Sequence, residues 1–454
     1  MHVSSLLDVD AIPVESAGAV TILLDITAPE NPASDRPPAT LQIVVDRSGS
    51  MAGSRLSGAV RALLDLVDRL DPTDNFGLVT FDHEARVEVP AGPLTDKANA
   101  KRRISALRPG GSTDLSSGLL RGIQEARRAS RDRGATLLLI SDGHANQGIT
   151  DHGRLAGCAR SAYEHGVSTT TLGYGLGYDE ELLGAIADGG TGSALFAEEP
   201  DTAGALIAGE VDNLLAKTAQ AASLRITPTS AAHSALVIGE LPSTRLDDGT
   251  VMVELGDFHA GEQRRLLLRV EVPAVADLGP AQVASVEITY VDPASLTSHT
   301  VSLPISVNVV SGDAAAAHLS NPTVRTELAY QQAQTAKRKA AEALQSGDRE
   351  TAAAKLDEAR GRLAAQRPDA PADMRDDVDA QITELGDLAE RARRDSMSRV
   401  SKAAFSSQHM ASRKRGRQQQ SADGTPGPWT DRDRQDRQDQ QGQQGQQDRR
   451  DQRG

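Results

Sequence analysis

Three short stretches place oxygen-bearing side chains where chemistry could occur. In "LQIVVDRSGSM" (41–51) an apolar run stops at Asp46, and Ser48 and Ser50 follow at alternate positions. "GGSTDLSSGL" sets Thr113 in a glycine-led loop, and "TLLLISDG" closes a second apolar run on Asp142. Asp46, Ser48, Ser50, Thr113 and Asp142 offer only oxygen donors: two carboxylates and three neutral hydroxyls. Such a set suits a hard divalent cation, Mg²⁺ above all, with Mn²⁺ or Ca²⁺ as substitutes. Each stretch alone reads more readily as a helix cap or an Asp-Gly turn than as a ligand set. Their order, with each at a strand end or a helix start, is what singles out metal binding.

The elements that must hold these residues follow from hydrophobic period. From about 40 to 215, short apolar runs ("LQIVV", "FGLVTF", "TLLLI", "VSTTTLGYG", "ALFAEE") alternate with amphipathic stretches such as "RLSGAVRALLDLVDRL" and "LSSGLLRGIQEARRASRD". Near-continuous apolar strands alternating with helices predict an α/β fold, a doubly wound, mostly parallel, Rossmann-like sheet covered on both faces. Ligands of such sheets bind beyond the carboxyl ends of the strands, which is where Asp46 and Asp142 fall.

From about 220 to 311 the helical period vanishes, and runs such as "TVMVELGDF", "RRLLLRVEVPA" and "ASVEITYVD" predict a β-sandwich. The strand "AGAVTILLDITA" (17–28) has no sandwich of its own and is expected to pair into this one, making the α/β domain an insertion. The Ala-, Glu- and Arg-rich stretch after 321 predicts a helical hairpin turning at "SGD", with a third helix after "RPDAPADM". The expected boundaries are thus 1–38 for strands joining the sandwich, 39–216 for the α/β domain, 217–311 for the sandwich, 312–412 for the helical region and 413–454 for a disordered Gln/Asp/Arg-rich tail.

The Asp46-x-Ser48-x-Ser50 pattern, with Thr113 in "GGSTDL" and Asp142 in "SDG", resembles the metal-ion-dependent adhesion site of von Willebrand factor type A domains, over residues 39 to 216. The phrases "SDGHANQGIT" and "GYDEELLGAIADGGTGSALFAEEPD" are similar to bacterial members in which that domain is set into a β-sandwich. The resemblance implies that Ser48, Ser50 and Thr113 ligate Mg²⁺ directly in the partner-bound form. Asp46 and Asp142 then act largely through water, and an Asp or Glu of a protein partner fills the last position. A metal held by neutral hydroxyls stays electrophilic toward that carboxylate. The expected role is a non-enzymatic, Mg²⁺-dependent protein-binding or scaffold module. One alternative is an adaptor or regulatory subunit partnered with an AAA-type ATPase. Another is a Mg²⁺-dependent hydrolase with His144 as its base.

Other classes draw less support from the residues. No phosphate-cradling G-x-x-x-x-G-K-[ST] and no G-x-S-x-G occurs, which argues against ATP hydrolysis and an α/β-hydrolase. Gly173, Gly175, Gly177 and Glu198 mimic a dinucleotide fingerprint with the third glycine one residue early, and His83, His144, His152, His165 and Cys158 lack zinc spacing. A net charge of −14 makes nucleic acid an unexpected partner, and "SRKRGRQ" with Arg413, Lys414, Arg415 and Arg417 reads as solvated tail. The single cysteine, the absence of a basic leader before an apolar stretch and the lack of any membrane-length apolar run predict a cytoplasmic location without a membrane span.

Overall fold

The computed structural model describes residues 1–30, 36–130, 133–142, 144–239, 241–316 and 320–412. The basic stretch beginning at Arg413 and the tail predicted to be disordered lie outside these described residues.

The chain opens with strands β1 (His2–Leu7), β2 (Ala11–Pro13) and β3 (Gly18–Thr27). An α/β segment follows: β4 (Thr40–Asp46), α1 (Ser54–Arg69), β5 (Asn75–Phe81), β6 (Ala85–Pro93), α2 (Lys97–Ser105), α3 (Leu115–Ser130), β7 (Ala135–Ser141), α4 (His152–Tyr163), β8 (Val167–Tyr174), α5 (Glu180–Gly189), β9 (Thr191–Ala197) and α6 (Pro200–Leu215). Next come β10 (Lys217–Pro228), β11 (Ser234–Ile238), β12 (Ser243–Arg245), β13 (Val251–His259), β14 (Gln263–Val272), β15 (Gly279–Val291) and β16 (Ser298–Val310). The helices α7 (Gly312–Ala316), α8 (Pro322–Gln345), α9 (Arg349–Gln366), α10 (Ala372–Arg394) and α11 (Met397–Ser412) end the described chain.

The six-stranded sheet of the α/β segment runs β6-β5-β4-β7-β8-β9, parallel throughout except for β6. Its central strands are buried on both faces because their side chains alternate at period two. Ile43, Val45, Leu138 and Ile140 face α1 and α6, whereas Val44, Leu137 and Leu139 face α3 and α4. The chain leaves β4 for β5 on one side and returns to β7 on the other, so the sheet switches direction between β4 and β7. The antiparallel edge strand β6 escapes a reading that seeks apolar runs, because Arg86 and Glu88 interrupt its valines, two prolines are exposed and only Ala91 is buried.

Two antiparallel-rich sheets, β1-β3-β14-β11 and β12-β13-β10-β15-β16-β2, enclose one apolar core. Strand β3 pairs with β14 over ten residues, from Gln263 opposite Thr27 to Val272 opposite Gly18. The α/β segment is therefore inserted in the sandwich between β3 in one sheet and β10 in the other.

Helices α8 and α9 form a hairpin whose turn uses Gly347 at φ 87°, with Asp348 accepting from the Thr351 amide at 2.9 Å. The third expected helix is interrupted: Asp395 takes extended backbone and Ser396 accepts the first bond of α11, from Val400 at 3.1 Å. That capping pair is hidden in a helix-favouring Ala/Arg-rich composition. Helix α11 lies along the otherwise open edge of β9, where the Ala194 amide donates to His409 Nδ1 at 3.1 Å. Lys402 Nζ reaches the Tyr178 carbonyl at 2.6 Å and pairs with Glu180. No helix among the described residues is long and apolar enough to cross a membrane.

Candidate metal centre

The switch point between β4 and β7 gathers the predicted residues. Asp46, the last residue of β4, is entirely buried. Its Oδ1 accepts the Ser48 amide and its Oδ2 accepts the Ser141 hydroxyl, each at 2.7 Å. A 3-10 turn over Gly49–Met51 then brings Ser48 Oγ to 3.1 Å from Ser50 Oγ, and Ser50 Oγ donates to Asp142 Oδ1 at 2.7 Å. Ligands at ~2.1 Å from Mg²⁺ in an octahedron have neighbouring oxygens about 3.0 Å apart. The Ser48–Ser50 separation therefore matches one octahedral edge.

Thr113 enters on a neighbouring loop zipped to the first. The Gly49 amide donates to Gly111 O at 2.9 Å, and the Gly110 amide to Arg47 O at 2.6 Å. Asn146 clamps the position from both sides, its Oδ1 accepting the Thr113 amide at 3.0 Å and its own amide donating to Thr113 O at 3.1 Å. Glycine is required at 110 because a Cβ there would stand 2.0 Å from Asp82 Oδ2. Helix α3 presses close behind this loop: a methyl at Gly118 would meet Phe81 at 2.4 Å, and one at Gly122 would meet Val44 at 2.3 Å. Direct hydrogen bonds thus link Asp46, Ser48, Ser50 and Asp142, while Thr113 is held beside them through its backbone.

The charges at this point are not balanced alike. Burial pushes the Asp46 carboxyl above its ordinary range, and the nearby charge of Asp142 pushes the same way, against the bonds from Ser48 and Ser141. Asp142, whose side chain is also buried, pairs with Arg55 Nη1 at 2.5 Å. Asp82 differs again: burial raises its pKa, but the Glu84 amide and the Arg47 guanidinium outweigh that and hold it below the usual range. A cluster of two buried carboxylates and paired hydroxyls, with no thiol or imidazole in the donor set, fits a small hard cation. Asp46, Ser48, Ser50, Thr113 and Asp142 are the residues that would hold it.

Several supporting residues were not singled out by sequence. Ser141 orients Asp46, Asn146 fixes the Thr113 loop, and Arg55 reaches Asp142 across 87 positions. Ser141 was open to discovery because it precedes Asp142 in a strand-end phrase; the other two depend on loop geometry that no spacing encodes. The remaining candidates are placed in other contacts. His144 and His152 lie 3.6 and 3.3 Å from Asp179, His83 is beside Asp82, and His165 Nδ1 donates to Ser161 O at 2.7 Å. The Tyr178 ring fills the space next to Gly173, Gly175 borders Arg55, and Glu198 pairs with Arg399 at 2.7 Å.

Comparison with known proteins bears on this arrangement. Residues 41–207 match the model of the von Willebrand factor type A domain. The uncharacterized protein sll0103 of Synechocystis is 29% identical over 355 residues, which cover 75% of this chain and 83% of that one. The uncharacterized protein YfbK of Escherichia coli is 28% identical over 54% of this chain and 44% of its own length. The mouse inter-alpha-trypsin inhibitor heavy chain H2 is 30% identical over 37% of this chain but only 18% of that protein. Among solved structures, a von Willebrand factor type A protein from Catenulispora acidiphila superposes with a TM-score of 0.66 at 17% identity, covering 86% of this chain and 89% of that one. The ArnB paralog VWA2 from Sulfolobus acidocaldarius gives 0.61 at 15% identity, covering 90% and 98%. At these identities the structural likeness speaks for the fold.

Proposed function

From the premise that this chain is a von Willebrand factor type A protein, with that domain set into a β-sandwich, we propose that it binds Mg²⁺ at Asp46, Ser48, Ser50, Thr113 and Asp142 and uses the ion to capture an acidic residue of a partner protein. The family often mediates protein–protein interaction, and the premise rests there. The observation that carries the metal reading is the hydroxyl pair at octahedral spacing beside a buried, charge-uncompensated Asp46. The neutral hydroxyls leave the ion's charge largely available to an incoming carboxylate. In this reading the protein is a binding module and not an enzyme, and the sandwich and helices orient the site within an assembly.

Affinity capture tests it, with wild type and Asp46→Ala each presented to cell extract in Mg²⁺ and in EDTA. The expected result is a set of proteins retained only by wild type in Mg²⁺. The same set in all four conditions overturns the proposal. Calorimetry with Mg²⁺ alone gives the matching direct readout: heat of binding for wild type and none for the Ser48→Ala/Ser50→Ala double variant.

A further inference from the structure

Arg55 occupies an unusual position. It lies in the first turn of α1, where the helix dipole disfavours a cation, and that turn carries no acidic residue and no side-chain cap. Local helix chemistry therefore does not account for it. Its guanidinium is instead drawn over the candidate site, with Nη1 at 2.5 Å from Asp142 Oδ2 and 3.3 Å from Ser50 O. Room is made for it on the far side by Gly175, at φ 76°, where a Cβ would sit 3.0 Å from Nε and Nη2. The Asp142 side chain is wholly buried, whereas that of Arg55 is 36% exposed, so the acid is fixed and the base has a path to solvent.

We propose that Arg55 is the resident counter-cation of Asp142 and competes with the divalent ion for it. The inference rests on the metal reading above. With the ion absent, the guanidinium neutralises a carboxylate that burial would otherwise leave unpaired. As the ion settles on the hydroxyl pair, the two positive charges repel across a few ångströms and the guanidinium withdraws toward solvent. Competition of this kind is a coupling free energy and is reciprocal: the metal weakens the Arg55–Asp142 pair by the factor by which that pair weakens metal binding. Arg55 thereby sets the concentration at which the site fills.

The test uses the full chain and Mg²⁺ alone, titrated by calorimetry into wild type, Arg55→Ala, Arg55→Gln and Arg55→Lys. Arg55→Ala and Arg55→Gln are expected to bind Mg²⁺ about tenfold tighter than wild type, within the span of ordinary coupling factors. Arg55→Lys, which keeps the charge, is expected to stay near wild type. Thermal unfolding supplies an independent readout: Arg55→Ala should melt below wild type in EDTA, and saturating Mg²⁺ should narrow that gap. Equal or weaker Mg²⁺ binding by both neutral variants overturns the inference, as does a melting gap unchanged by Mg²⁺, which marks a purely structural pair. Either result leaves the metal reading standing. Mg²⁺ binding by none of the proteins removes the metal reading and this inference with it.

Discussion

Two buried carboxylates in this molecule are treated in opposite ways. In the sandwich, Glu262 accepts from Arg264 Nε at 2.8 Å and from the His259 amide and Nδ1, each at 2.9 Å. Arg264 is itself buried, donates to the Leu255 and Asp257 carbonyls and lies 3.8 Å from the Phe258 ring centroid. Burial opposes the ionisation of Glu262, but the Arg264 charge, with His259, outweighs it and holds the carboxyl far below its ordinary range. Asp46 is buried as deeply, yet its two bonds come from neutral donors and its pKa is pushed up. One carboxylate has its counter-charge beside it; for the other, the bonds found among the described residues come from neutral donors alone. If the proposed metal reading holds, that difference separates a structural ion pair from a seat for an external cation more clearly than burial or residue type does.

The largest effect expected from this comparison is in the sandwich. Glu262→Gln leaves Arg264 buried without its anion and should cost about 3–5 kcal/mol in urea unfolding. The loss should be the same in Mg²⁺ and in EDTA. Because the folded pKa of Glu262 is depressed, its stabilisation is present above the unfolded carboxyl value and is lost only as pH falls through the folded one. Between roughly pH 6 and 8 the Glu262 carboxyl itself should therefore add no pH dependence to the difference between wild type and variant. A cost that varied with Mg²⁺ would remove the contrast between the two sites.

Asp46→Asn should behave in the reverse sense. A carboxyl whose folded pKa is raised contributes stability below its unfolded pKa and loses it as pH rises through the folded value. In EDTA at neutral pH the wild type thus carries a buried charge that the amide does not, and Asp46→Asn should melt at or above it. Mg²⁺ should reverse the order. At a hundred times its dissociation constant a ligand adds ~2.7 kcal/mol to the wild type alone. An Asp46→Asn variant that is less stable in EDTA would show that the charge is compensated within the chain, as Glu262 is.

The two sites also differ in how legible they were. The α/β class came through because β4 and β7 are apolar runs, one ending on Asp46 and the other just before Asp142, and because α1 and α3 bury residues three and four apart. The Asp46, Ser48, Ser50 cluster was readable for the same reason: it is one continuous phrase at one strand end. The residues that contact it from elsewhere in the chain were not. Arg55 reaches Asp142, and Asn146 reaches Thr113, through side-chain reach and loop packing between distant positions, which local period does not record. The Glu262–Arg264 pair sits two residues apart in plain view, yet nothing in "GEQRRLLLRV" says that both are buried. Helix α11 went unread because Asp395 and Ser396 break a sequence that otherwise favours helix, and because its docking on β9 is a tertiary event.

The smallest effect belongs to His144, which stands near the same strand end and carries the hydrolytic alternative. Its side chain is 69% exposed, and its contact with Asp179, at 3.6 Å, is longer than that of His152 with the same carboxylate. Asp179 in addition caps α5 by accepting the Leu182 amide at 3.0 Å, so it keeps its main bond when His144 is removed. An exposed, shared pair of this kind contributes little. His144→Ala should change stability by less than ~0.5 kcal/mol and leave Mg²⁺ affinity within twofold of wild type. A shift comparable to that of Arg55→Ala would place the imidazole among the groups that compete for or assist the ion. The contrast between the two buried carboxylates would then have to include an exposed base on the metal's side, and the hydrolytic reading would regain its general base.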